Sequence, residues 1–182
     1  MITETRADPA PDAPTAEAVI RHLGLQPHPA EGGYFRETYR APEAVAGAAL
    51  PTRYAGMDRC VSTAIYYLLT PETLSAMHRL ASDEVFHFYA GDPVQQLHLH
   101  PGGRAETVTL GADVFAGQRP LVVVPQGVWQ GARLCPGGRW ALLGCTVAPG
   151  FEFADYEHGD RAGLVAGWPD AADLIAALTT TP

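Results

Sequence analysis

Between Tyr34 and Val147 the chain alternates short runs of β-branched, aromatic and aliphatic residues with glycine and proline turns, a rhythm that limits the fold more than any other feature. Nine runs read as strands: residues 34–39, 61–69, 74–80, 84–89, 94–99, 107–110, 121–124, 128–134 and 140–147. Gly91-Asp92-Pro93, Pro101-Gly102-Gly103 and Pro136-Gly137-Gly138 punctuate them with tight-turn residues, which predicts antiparallel hairpins. An all-β sandwich or barrel follows as the class. Helices are expected only at the ends. Thr15 is placed to cap one that carries Val19, Ile20 and Leu23 on one face and stops at Gly24, and residues 170–178 form another with Leu174, Ile175 and Leu178 aligned.

A chain of 182 residues suits one domain, expected over 15–182, and the Ala/Pro/Asp-rich start predicts a disordered arm over 1–14. The net charge of -8 argues against nucleic acid as a partner, because a phosphate backbone calls for a basic face. All 12 basic residues are arginines, so Schiff-base chemistry through a lysine is excluded. Cys60, Cys135 and Cys145 form no CxxC pair and read as reduced thiols. With neither a secretory signal nor a membrane-length apolar run, the expectation is a soluble cytoplasmic protein without a membrane partner.

Two motifs carry the chemistry. In HRLASDEVFHFYAG, His78, Glu84 and Gly91 stand at the spacing of the first cupin motif, whose second histidine position is Leu80 here. Pro125 and Gly127 match the second motif, whose histidine position is Gln130. A metal site needs convergent lone pairs, so loss of two imidazoles from four ligands weakens the metal reading. The wider sequence resembles a narrower group, the DUF985 or cupin-5 family, through HPAEGGYFRETYR, TAIYYLL, MHRLASDEVFHFYAGDP, VVVPQGVWQGARL and LLGCTVAPGFEFADYE in that order. The resemblance implies a double-stranded β-helix, the cupin jelly-roll barrel, with short N- and C-terminal helices, commonly a homodimer, and a pocket in the barrel mouth.

Strand alternation groups Ala76, His78 and Leu80 on one face and Glu84, Phe86 and Phe88 on one face of the next strand, and the cupin resemblance turns both faces inward. His78 and Glu84 are the catalytic candidates, as an acid/base pair. Phe86, Phe88 and Gln130 are candidate substrate contacts, with His98 from QQLHLH, whose facing the period leaves open against His100. Tyr34 and Arg36, after the glycine pair of EGGYFRET, complete the set, the guanidinium offering a fork for carboxylate or phosphate. His22, His28 and His158 receive no role.

The leading expectation is an isomerase or lyase of epimerase, dehydratase or cyclase type, working without a metal on a small polar, sugar-like substrate. No cofactor is favoured. One alternative is a metal-dependent, dioxygenase-like cupin holding a divalent transition metal with His78, Glu84 and Gln130, and with His98 as a fourth group. Another is a non-catalytic receptor for a small metabolite.

Overall fold

A computed structural model describes residues 14–179. The expected arm over 1–14 lies, except for Pro14, outside the described residues. The described residues form thirteen strands: β1 (Gln26–Pro27), β2 (Tyr34–Arg40), β3 (Ala44–Val45), β4 (Arg59–Cys60), β5 (Thr63–Leu69), β6 (Ser75–Leu80), β7 (Asp83–Gly91), β8 (Val94–Leu99), β9 (Ala105–Leu110), β10 (Leu121–Val124), β11 (Trp129–Leu134), β12 (Ala141–Ala148) and β13 (Tyr156–His158). One sheet has the order β1-β2-β5-β12-β7-β10 and a second has β13-β6-β11-β8-β9, while β3 and β4 pair alone. Every pairing between these strands is antiparallel, as short turns between sequential strands require. The fold is cupin-like and β-rich with short terminal helices.

Both large sheets contribute to one apolar core, in which Tyr67, Phe86 and Leu143 from the first meet Val94, Val108 and Leu134 from the second. Helix α1 (Ala16–Leu23) is capped by the Thr15 hydroxyl and ended by Gly24 in the left-handed region, and its apolar stripe covers Leu25, Leu68 and Trp140. On the other side α2 (Arg161–Gly167) and α3 (Ala172–Ala177) lay Leu164, Ile175 and neighbouring Leu178 over Met77, Leu97 and Leu99. Helix α2 is not foreseen from the sequence, because its two glycines weaken helical propensity. Its start is held by Asp160, which accepts from the Gly163 N–H at 2.7 Å, and its core anchor is Leu164.

Two glycines before β2 matter for the site. Gly32 and Gly33 have φ of 90° and 69°, and a Cβ on them would stand 2.5 Å from the Leu74 carbonyl oxygen and 2.9 Å from that of Leu68. Only glycine lets the loop cross so tightly. The crossing hands the Glu31 carbonyl to the Ala76 N–H at 2.7 Å and delivers the Glu31 side chain to β6.

Candidate active site

Register explains how polar side chains come to line the inner face of the second sheet. His158 opposes His78, His78 opposes Gln130, Gln130 opposes His98 and His98 opposes Glu106, so one row crosses β13, β6, β11, β8 and β9. Directly opposed residues share a face. Met77 turns the other way, into the helical layer.

His78 is 2% exposed. Its Nδ1–H donates to the Ala76 carbonyl at 2.7 Å, which orients the ring and leaves Nε2 facing the carboxylates. Nε2 lies 3.5 Å from Glu31 Oε2 and 3.9 Å from Glu84 Oε2. Burial disfavours the imidazolium, but Glu31, Glu84 and the Ala76 carbonyl together outweigh it, and His78 is pushed up to about 9. The ring therefore carries its proton at neutral pH.

Glu31 is shared between two histidines. Its Oε2 accepts from Ser75 Oγ at 2.8 Å, and its Oε1 is 3.2 Å from His28 Nε2. His28 Nδ1 accepts from the backbone N–H groups of Ala30 and Glu31, so Nε2 bears the hydrogen that Glu31 receives. Burial pushes His28 down, against the pull of Glu31, and this imidazole is neutral where His78 is charged. Glu84 Oε2 accepts from Gln130 Nε2 at 2.6 Å, and Gln130 Oε1 accepts from Gln96 Nε2 at 3.3 Å.

Tyr156 closes the site from β13. Its ring stacks on His78 with centroids 5.2 Å apart and planes 20° from parallel, while its hydroxyl pairs with His158 Nδ1 at 2.9 Å. Burial, reinforced by Glu31, raises its pKa and keeps the phenol neutral. The approach to β13 is pinned by Arg59, whose Nε and Nη2 donate to the two Asp155 oxygens at 2.8 and 2.6 Å in a buried pair.

His28, Glu31, His78, Glu84 and Tyr156 line a cavity of about 100 Å³. Phe35, Phe151 and Phe153 form its apolar wall, and Leu80, Val147 and Cys145 its floor. At one side Arg40 donates to both oxygens of Glu37 at 3.1 and 2.9 Å and to Glu152 Oε1 at 2.7 Å.

The cavity brings His78 and Glu84 together, with Gln130 behind Glu84. The other candidates lie outside its lining. Tyr34 packs with α1 against Leu68 and Trp140, and exposed Arg36 sits over the Tyr66 ring at 5.8 Å. Phe86 is core and Phe88 packs against that core. His98 faces inward two strands from His78, roughly 10 Å away at ~4.8 Å per strand. His28, Glu31, Arg40 and Tyr156 line the cavity too, and no motif of the sequence assigns them a role. The first two stand in the HPAEGG segment beside its glycine pair, which was the available signal; Tyr156 offered none, since a three-residue strand shows no period.

Residues 17–159 match the model of the Cupin_5 family, described as cupin superfamily (DUF985). The chain belongs to that family. A Saccharomyces cerevisiae relative, the uncharacterized protein YML079W, is 31% identical over 179 residues, covering 91% of this chain and 88% of its own length. Among solved structures, protein SO0799 from Shewanella oneidensis is 33% identical with a TM-score of 0.80, covering 93% of this cupin and 100% of that chain. A hypothetical protein from Leishmania major is likewise 33% identical, with a TM-score of 0.82 and coverage of 92% and 100%.

The metal that the cupin motifs imply finds a poor donor set in this member. Leu80 presents hydrocarbon to the cavity where an imidazole would stand, and the Gln130 amide is engaged by Glu84 on one side and Gln96 on the other. His98 is outside the cavity. Among the described residues no three His, Cys, Asp or Glu side chains converge to hold an ion. His78, Glu84 and Gln130 do not fit a divalent transition metal, which favours several freely presented nitrogen, sulfur or oxygen donors.

Proposed function

We propose that this cupin is a small-molecule isomerase or lyase, of epimerase, dehydratase or cyclase type, that moves protons in the cavity without a metal. The observation that carries this reading is a buried histidine, His78, held in its charged form between two carboxylates at a cavity wall. Such a group is an acid at neutral pH. In an epimerisation, Glu31 or Glu84 takes the proton from the carbon beside a carbonyl while His78 Nε2 gives its proton to the carbonyl oxygen, leaving a neutral enol. The first carboxyl then gives its proton to solvent while the other takes one from solvent and delivers it to the opposite face of the carbon, and the enol hydroxyl returns its proton to His78 Nε2, so the epimer forms and all three groups are restored. The anchor on Ala76 keeps the imidazole in register, and neutral His28 steadies Glu31 from behind.

Hydrogen exchange from solvent deuterium into small carbonyl and hydroxyl compounds tests this. His78→Ala, and separately Glu31→Gln and Glu84→Gln, should each lower exchange by about 10²–10⁴-fold. Undiminished exchange in His78→Ala and Glu84→Gln sinks the assignment, and ligand binding with no exchange in any candidate turns it into a receptor.

The same reading takes the two sheets as halves of a cupin barrel and the protein as a homodimer. Leu121 and Val123, 50% and 49% exposed, alternate with buried Val122 and Val124 on an outer face that supports such an association. Sedimentation equilibrium should return twice the chain mass.

A further inference from the structure

We propose that the cavity binds a small organic cation, and, resting on the acid/base reading above, that the substrate carries one primary or methylated ammonium group, an amino sugar included. Charge is the first argument. Glu31, Glu37, Glu84 and Glu152 line the cavity, and among the described residues its only cationic side chains are Arg40 and His78. Even with His78 charged, four carboxylates face two cations. The imbalance is present in the deep part too, where Glu31 and Glu84 share one imidazole. A buried charge without a partner is costly, so a ligand bringing one positive charge is favoured over a neutral one.

Glu84 supplies the second argument. It is 7% exposed and lines the cavity, and besides His78 it is met only by the Gln130 amide, at 2.6 Å from Oε2, and by the Cys145 thiol among the described residues. A thiol is a weak donor, so the carboxylate keeps acceptor capacity on the cavity side for an ammonium N–H. The walls are the third. Phe35, Phe151, Phe153 and Tyr156 surround the same space, and aromatic faces attract cations through their quadrupoles. Phe153, 56% exposed, leaves one such face accessible at the rim.

Anions lack a counterpart to any of this. The chain has no lysine, and the one arginine of the cavity has its fork committed to Glu37 and Glu152. A phosphate or carboxylate would arrive at a net negative wall with no free guanidinium to receive it. Phosphorylated and nucleotide-linked sugars are therefore disfavoured within the sugar-like class.

Calorimetric titration of the full chain with methylammonium, tetramethylammonium, tert-butanol and inorganic phosphate tests the proposal, with the His78 Cε1–H resonance as local reporter. Saturable binding of an ammonium probe is expected, with a shift of the His78 signal. Binding should weaken by about tenfold or more in Glu84→Gln and with added salt. Glu31→Gln is the second variant, should the first not fold. Saturable phosphate binding at His78 overturns the proposal, as does an ammonium that perturbs His78 no more than tert-butanol does. Because binding is read without turnover, cation binding without exchange removes the acid/base reading and keeps the cation site. Exchange without cation selectivity does the reverse.

Discussion

His78 and His98 stand in the same row of the same sheet, separated by Gln130, and are 2% and 3% exposed, yet they are driven in opposite directions. His78 is pushed up to about 9 by Glu31 and Glu84 against its burial. For His98 burial prevails over the pull of Glu106, which faces it from β9 but is paired with Arg104, and drives the group down to about 4, and its Nε2 has no hydrogen-bond partner among the described residues. Equal burial thus gives one charged and one neutral imidazole. What separates them is a carboxylate pair within 4 Å, which loop crossing and strand pairing supply at one end of the row only.

Deleting the charged member should have the largest effect. His78→Leu leaves Glu31 and Glu84 facing each other without a cation, and urea unfolding is expected to show a loss of about 3–5 kcal/mol. His98→Leu replaces an imidazole whose Nε2 is unpartnered with hydrocarbon of similar size, so its cost should stay within about 1 kcal/mol. Similar losses at the two positions would erase the contrast.

The pH dependence of stability should show the same opposition. His78 has a folded pKa above its unfolded value of about 6.5, so its contribution is full below that pH and is lost as pH rises through about 9. His98 has a folded pKa below it, so its contribution is present above about 6.5 and is lost as pH falls toward about 4, with His28 acting in the same direction. Each limb should slope by at most about 1.4 kcal/mol per pH unit per proton. Chemical denaturation across pH will resolve both, and His98→Leu should soften the acid limb alone.

Finer still is Glu31→Gln. Removing that carboxylate should bring the His78 titration down from about 9 toward the usual histidine range, followed by NMR, with His98 unmoved. An unchanged His78 would assign its charge to Glu84 alone. The smallest effect is expected for Arg36→Ala, which removes an exposed side chain over Tyr66 and should shift stability by no more than about 0.5 kcal/mol, with exchange unchanged.

Much of the fold is legible in the residue order, since each of the nine expected runs overlaps a strand and both capping residues of α1 act as such. The strands left out, β1, β3, β4 and β13, have two or three residues and carry no alternation to detect. Less of the site is legible. His78 and Glu84 are visible as a spaced pair, but His28 and Glu31 come from a loop about fifty residues upstream in the chain and Tyr156 from a strand far downstream. Arg36 illustrates the converse. Its fork is a reasonable anion receptor by residue type, and alternation turns it away from the cavity that Phe35 and Glu37 line, while a bulge between Glu37 and Tyr39 reverses the alternation, so that Arg40 on the same strand reaches the cavity and is consumed by Glu37 and Glu152.

The order of residues alone settles the strand rhythm, the substitution of Leu80 and Gln130 for metal ligands, and the absence of any lysine. Those are local or compositional properties, carried by each segment wherever it goes. Only the tertiary structure decides that His78 is charged while His98 is neutral, that Glu31 rather than Glu84 alone faces the imidazole, and that Tyr156 covers it. Protonation and recognition depend on charges a few ångströms apart in space, and antiparallel pairing with one tight crossing at two adjacent glycines sets those distances between segments remote in the chain.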